Sequence, residues 1–383
     1  MKIKDNIFIV MTAGLLLTGC QGDDGMTAVA AEAEQSAEGT AVTQHEICFR
    51  VGSSAQQRAT RAVSFYDIDR LQTDCDYMGT TNNYFSVTAY MDGTTEKFIN
   101  SSGNIHVLYL ESPTQPWRFC THEVNVLHYY WPETIPLNFF AFHPCEMSGG
   151  VLTANPDPST CLSIGTYADR TPQLECTALP LTNIGQATLT ELIYAYTEAI
   201  TYKDYGGYAP LTFQHPLAAV SLTLSSAYPG LTLEEVTFER IYNNGTGTCS
   251  TSSVAWTTTG TVGNLQLTWN PNDTAEESPT YQKIMGTSMH IGTIDGPFLV
   301  LPQALTDRDG LADVTMTIKY KKVGETEKDI TLPITGTVKT WESGKHYIYD
   351  LELGKDESVI IGCTVEDWID HGNYTNIGVD EDE

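Results

Sequence analysis

The stretch HYYWPETIPLNFFAFHP, residues 128–144, decides the fold of this chain. In an extended backbone successive side chains point to opposite faces. Leu137, Phe139 and Ala141 therefore share one face, while Phe140 and Phe142 share the other. A strand apolar on both faces is expected to be covered on both sides. Trp131-Pro132 closes the segment before it, because proline has no N–H to give to a ladder.

Outward from this strand the dominant period is two, with polar turns between runs. Ile47, Phe49 and Val51 alternate with Glu46, Cys48 and Arg50. Phe85, Val87, Ala89 and Met91 share a face, as do Ile105, Val107 and Tyr109. The same holds for Val220, Leu222 and Leu224, for Val314, Met316, Ile318 and Tyr320, and for Tyr347, Tyr349, Leu351 and Leu353. Helical signal is thin. TLTELIYAYTEAI, 188–200, reads as a strand because its tyrosines and isoleucines are mediocre helix formers. The proline-rich stretch 144–187 reads as a long irregular connection. The pattern predicts an all-β chain of antiparallel sandwiches, divided near residue 187.

The chain has 383 residues and a formal net charge of −28. That field repels nucleic acid and anionic surfaces, so a nucleic-acid partner is excluded from the expectations. Lys2 and Lys4 precede an apolar run, Ile7–Leu17, too short to span a bilayer, which takes about 20 residues. The run ends in Leu17-Thr18-Gly19-Cys20, which resembles the lipobox of bacterial lipoproteins. That resemblance implies a signal peptide, 1–19, and diacylglycerol on the Cys20 sulfur. Gln21, Asp23 and Asp24 resemble the acidic export signal of Bacteroidetes surface lipoproteins. Residues 20–43 read as a lipidated tether with a reach of roughly 25–30 Å.

Nine cysteines include Cys20. At least one disulfide is expected in an exported chain. Cys145, Cys161 and Cys176 are placed to staple the 144–187 region, whereas Cys48 and Cys363 lie in strand patterns and read as small buried thiols.

Motifs of chemistry are missing: there is no G-x-S-x-G, H-E-x-x-H, Walker loop, G-x-G-x-x-G or C-x-x-C. Asp307–Gly310, DRDG, reads as a turn because its glycine comes too early for a calcium loop. His122 and His128 are the sole spaced histidine pair, and His215 reads as structural. No catalytic residue, metal or cofactor is expected.

Only eight arginines occur, yet Arg50, Arg58, Arg61 and Arg70 crowd behind the first strand. HYYWPETIPLNFFAFHP, then LTELIYAYTEA with APLTFQHPLAAVSLTL, then FLVLPQAL, TWESGKHYIYDLEL and TVEDWID follow one another in an order that resembles the fimbrillin family. These are lipoprotein subunits of Bacteroidetes-type fimbriae and their surface relatives. The resemblance implies two tandem transthyretin-like antiparallel β-sandwich domains, 44–187 and 188–383. It also implies donor-strand exchange, in which a protease cuts after an arginine, the first strand leaves and a neighbouring subunit's strand replaces it. In this chain Arg58 and Arg61 match the cleavage position. The removable strand is 45–51, with Ile47, Phe49 and Val51 as its core residues.

The expected partners are other fimbrial subunits, the outer membrane through the lipid anchor, and a host or bacterial surface ligand. The expected location is the cell surface and the fimbrium. The tail 371–383 is polar and a poor donor, although 357–365 offers a strand; an accessory or tip-like role is therefore favoured over a stalk role. The rival is a non-polymerising glycan-binding lipoprotein that stacks sugars on Trp117, Trp256 or Trp269. A glycosidase or protease would need paired carboxylates in a pocket.

Overall fold

A computed structural model describes residues 45–53, 84–99, 105–109, 117–121, 125–148, 151–165, 171–226, 232–268, 284–285, 288–291, 297–308, 310–336, 338–354 and 359–368. Among them the chain is built of strands, with one short helix, Asn183–Gln186, and one 3₁₀ turn, Pro158–Thr160. No helix among the described residues is long and apolar enough to cross a membrane.

The quoted strand, Leu137–His143, lies inside the first sheet and is buried at all seven positions. The order of that sheet is Ile193–Ile200, Leu137–His143, Tyr84–Met91, Ile105–Tyr109, Trp117–Thr121, with Lys97–Ile99 added on Tyr84–Met91. Leu137, Phe139 and Ala141 join a core with Phe85, Val87, Ala89, Val107 and Phe119. Phe140 and Phe142 enter a different core with Tyr194 and Tyr196. Burial on both faces is thus real, and it extends to neighbouring strands. Ser86 and His106, which alternate with Phe85 and Val107 along their strands, are completely buried. A second layer covers the outside of this sheet, so period-two alternation here separates two cores rather than core from water.

That layer includes part of the stretch expected to be irregular. Residues 144–187 carry the strands Cys145–Ser148, Val151–Pro156, Leu162–Ile164 and Gln173–Cys176. The last two pair in the order Val254–Thr258, Gly245–Cys249, Gln173–Cys176, Leu162–Ile164. The strands are short and interrupted by proline, and their partners at 245–258 lie far along the chain, so no local alternation announces them.

Two more sheets face each other around the C-terminal core. One has the order Ile284–Met285, Ser288–Ile291, Ala218–Ser226, Lys345–Leu353, Val359–Asp367, with Phe298–Val300 on Ala218–Ser226. The other has the order Gly263–Thr268, Thr232–Ile241, Thr315–Lys321, Lys328–Pro333. Between them lie Val220, Leu222, Val236, Phe238, Met316, Ile318, Trp341, Tyr347 and Tyr349. Trp341 Nε1 donates to Tyr349 Oη at 2.9 Å, which satisfies a buried indole N–H. The turn before Lys345–Leu353 needs Gly344, whose φ is +69°. Asp307 and Gly310 both have positive φ, +53° and +83°, and Arg308 is bridged to Leu311.

Strands Ile193–Ile200 and Tyr208–Phe213 supply Ile193, Ala195, Ala209, Leu211 and Phe213 to the first core, although both lie beyond residue 187. The middle core joins Phe140, Phe142 and Tyr194 to Leu217, Leu299, Leu301 and Trp368. We propose a division at 214–217 rather than near 187, because Phe213 is the last residue of the chain, among those described, that joins the first core.

Candidate functional site

The first strand, Cys48–Ser53, pairs in parallel with Tyr208–Phe213, in a register running from Cys48 opposite Tyr208 to Ser53 opposite Phe213. Its other side, at the residues just before it, is taken as well. Ile47 N–H donates to Tyr129 O at 2.7 Å, and Trp131 N–H donates to His45 O at 2.8 Å. Glu46 and Tyr130 are bridged in antiparallel fashion. The segment 45–53 is therefore an interior stave, paired on both sides.

These bonds complete a circuit. Gln214, just past Tyr208–Phe213, exchanges backbone bonds with Tyr194 at 2.8 and 3.0 Å. From Tyr194 the first sheet runs across to Trp117–Thr121. Leu127 N–H then donates to Phe119 O at 2.7 Å, and the chain continues through Tyr129 to Ile47. The strand closes a ring of backbone pairing around the first core. Removing it would leave two facing, unpaired edges.

Its side chains fit the ring with the period expected. Ile47 and Phe49 are buried, Val51 packs on the same core, and Arg50 is exposed. Phe49 meets three rings edge-on: Phe119 at 4.9 Å, Phe139 at 5.8 Å and Phe85 at 6.0 Å between centroids. Arg50 lies over the Tyr208 ring at 4.9 Å. At the entry of the strand His45 stacks on Tyr202 at 4.1 Å. Glu46 Oε1 accepts from Arg118 Nη1 at 3.2 Å, and His128 Nδ1 meets the same oxygen at 2.7 Å. A carboxylate gathered between two basic groups on the rim is a clamp on the strand's N-terminal end.

Cys48 is buried and disulfide-bonded, not the free thiol expected. A second covalent hold on the strand therefore exists besides the chain itself. Cys145, Cys161 and Cys176, expected to staple the 144–187 region, are free thiols in this structure. Cys363 is also free. Arg58, Arg61 and Cys20 lie outside the described residues, as do His122 and Trp269.

No group of three or more His, Cys, Asp or Glu able to hold a metal occurs among the described residues. His128 is engaged with Glu46, as described. His215 Nδ1 bonds the buried Glu191 carboxylate, and its ring stacks on Trp368 at 4.3 Å with 9° between planes. It is a core histidine, as read from its sequence position. Burial holds His143 down to about 3 and His346 down to about 4, so both are neutral near pH 7. Burial likewise pushes the Cys120 thiol up to about 11, against the pull of Arg118. Trp117 is buried, and half-buried Trp256 gives its N–H to Pro216 O at 2.7 Å. Burial withdraws Trp117 from sugar stacking.

A fimbrillin-like family model matches residues 78–368, more than half of the chain. No curated protein matches it. Among solved structures, a fimbrial protein from Bacteroides vulgatus ATCC 8482 is 12% identical, with a TM-score of 0.48 over 85% of this chain and 100% of that one. A protein described as a candidate cell adhesion protein from Bacteroides uniformis ATCC 8492 is 14% identical, with a TM-score of 0.44 over 87% and 100%. A fimbrilin from Porphyromonas gingivalis W83 is 10% identical, with a TM-score of 0.40 over 86% and 98%.

Proposed function

This chain belongs to the fimbrillin-like family, and on that premise we propose that it is a surface subunit of a fimbria, structural or adhesive rather than catalytic, whose first strand is removable. The observation that carries the reading is the ring. A stave with both edges paired, contributed from the N-terminal end of the chain, leaves a ready-made slot when it goes. A replacement strand regains main-chain bonds on two sides and places alternate side chains where Ile47, Phe49 and Val51 sat. Each large apolar side chain returned to that slot contributes about 1.5–3 kcal/mol.

In this proposal a protease cuts after Arg58 or Arg61, and Cys20 carries the lipid that holds the precursor on the outer membrane. The Cys48 disulfide adds a condition. A partner on the far side of the cut would keep the strand tethered until that bond is reduced. The proposed role in the polymer is accessory or tip-like. The strand Val359–Asp367 is paired along nine positions with Lys345–Leu353, so this chain has no loosely held strand there to donate.

The test uses the full chain with a site-specific protease sequence inserted between residues 53 and 84. A biotinylated peptide of residues 45–53 is added before and after cutting, with and without reductant. Incorporation only after cutting is the expected result. If no peptide enters under any of the four conditions, the strand is permanent and the exchange proposal fails. Subunits isolated from assembled fimbriae should begin at Ala59 or Ala62.

A further inference from the structure

We propose that Cys161 and Cys176 form a second disulfide, across the pair of strands Leu162–Ile164 and Gln173–Cys176. These strands pair antiparallel with Cys176 opposite Leu162, which makes Cys161 the diagonal neighbour of Cys176. Opposite Cα atoms lie about 4.5–5.5 Å apart and each residue advances about 3.4 Å, so the diagonal spans ~6 Å, inside the range a disulfide accepts.

A regular strand would turn Cys161 to the face away from Cys176. Cys161 is not regular: it caps the Pro158–Thr160 turn with φ +56° and ψ +13°, a left-handed conformation that interrupts the alternation. As a result Cys161, Leu162 and Cys176 all pack on the middle core. Both cysteines are free thiols, and the negative charge of a Cys161 thiolate adds to the burial that pushes Cys176 up to about 12.

Two further observations favour closure. The chain already carries a disulfide at Cys48, as an exported protein does. Closing the bond also strands no polar group. Cys176 Sγ now donates to Asn243 O at 3.5 Å, but that oxygen also accepts the Leu179 N–H at 2.9 Å.

The oxidant is a disulfide, either a low-molecular-weight one or that of an oxidoreductase. Cys161 is half-buried whereas Cys176 is buried, so the Cys161 thiolate attacks first. A mixed disulfide forms at Cys161 and one oxidant thiolate leaves. Cys176, deprotonated, then attacks Cys161 Sγ and expels the second. Two cysteine thiols are oxidised by two electrons, one oxidant disulfide becomes two thiols, and the two protons pass to the leaving thiolates.

The experiment treats the full chain with oxidised glutathione, quenches with iodoacetamide under denaturing conditions, and maps peptides by mass spectrometry without reduction. A linked pair containing Cys161 and Cys176 is expected, with two alkylated sites fewer than before treatment. C176S should stop at glutathione on Cys161, and C161S should show neither adduct nor link. If C176S does not fold, C161S, altered at the more exposed position, still reports loss of the link. Alkylation of both cysteines in the treated wild-type chain would overturn the proposal, as would a link from either one to a different cysteine.

Discussion

Phe49→Ala tests the ring where it is most heavily loaded. The Phe49 side chain is buried and touches three rings edge-on, Phe85, Phe119 and Phe139, two of which stand in the first sheet's central strands. Truncating a buried phenylalanine to alanine costs about 3–5 kcal/mol, through lost burial and the cavity left behind. The packed first sheet leaves little room for collapse, which favours the upper half of that range. In the intact chain the loss should appear as a lower denaturant midpoint with an unchanged slope. In a chain cut between residues 53 and 84 and then reduced, the same loss falls on retention of the strand. At about 1.4 kcal/mol per factor of ten, peptide 45–53 should dissociate or exchange ~10²–10⁴-fold more readily. Arg50→Ala, at the exposed neighbouring position, should change retention by less than about tenfold, since only a cation–π contact is lost. The assay is size-exclusion separation of the cut chain, with the retained peptide measured by mass spectrometry. If the cut Phe49→Ala chain keeps its strand as well as wild type does, burial of Phe49 is not what seats the strand and the reasoning is wrong.

His143 and His346 make stability fall in acid. Their folded pKa values, about 3 and about 4, lie below the ordinary 6.5, so the unfolded chain binds more protons between those limits. Stability is therefore complete above about pH 6.5 and is lost as pH falls toward 4, by about 2 kcal/mol per histidine at pH 5; guanidinium unfolding at pH 7 and pH 5 measures this, and His346→Gln should remove about half. His215→Ala should cost about 3–5 kcal/mol by taking the imidazole from the buried Glu191 carboxylate and from the Trp368 face. The readouts are the unfolding midpoint and the fluorescence of Trp368 against a Trp368→Phe control. Gly344→Ala should cost about 1–2 kcal/mol, because φ +69° is unfavourable once a Cβ is present. The nearest atom to that Cβ is His215 O at 3.7 Å, so a larger loss would mean that sterics rather than backbone strain dominate.

Much of the architecture is legible in the residues themselves. Leu137–His143 declares itself a doubly buried strand because its two faces are both apolar. Ile193–Ile200 and Lys345–Leu353 are readable because β-branched and aromatic residues repeat at the strand period. Part of the candidate site is legible too. Ile47, Phe49 and Val51 mark a core face by their own alternation, and His215 reads as the structural histidine it is. The strands between Cys145 and Cys176 are not legible, because they are three to six residues long and pair partly with 245–249, so their stability comes from contacts that leave no local period. The disulfide at Cys48 is hidden for a related reason: a buried thiol and a bonded one look alike in a strand pattern.

By itself the sequence determined the all-β class and the alternating core residues. These are local matters, settled by φ/ψ preference and the two-residue period of an extended chain. Only the tertiary structure decided what closes the first core. Ile47 bonds Tyr129, and Phe49 lies beside Ala209, partners far apart in the chain. Strand pairing is a backbone interaction and carries no side-chain code for its mate, so which edge the first strand fills is set by the shape of the slot that the rest of the fold leaves open.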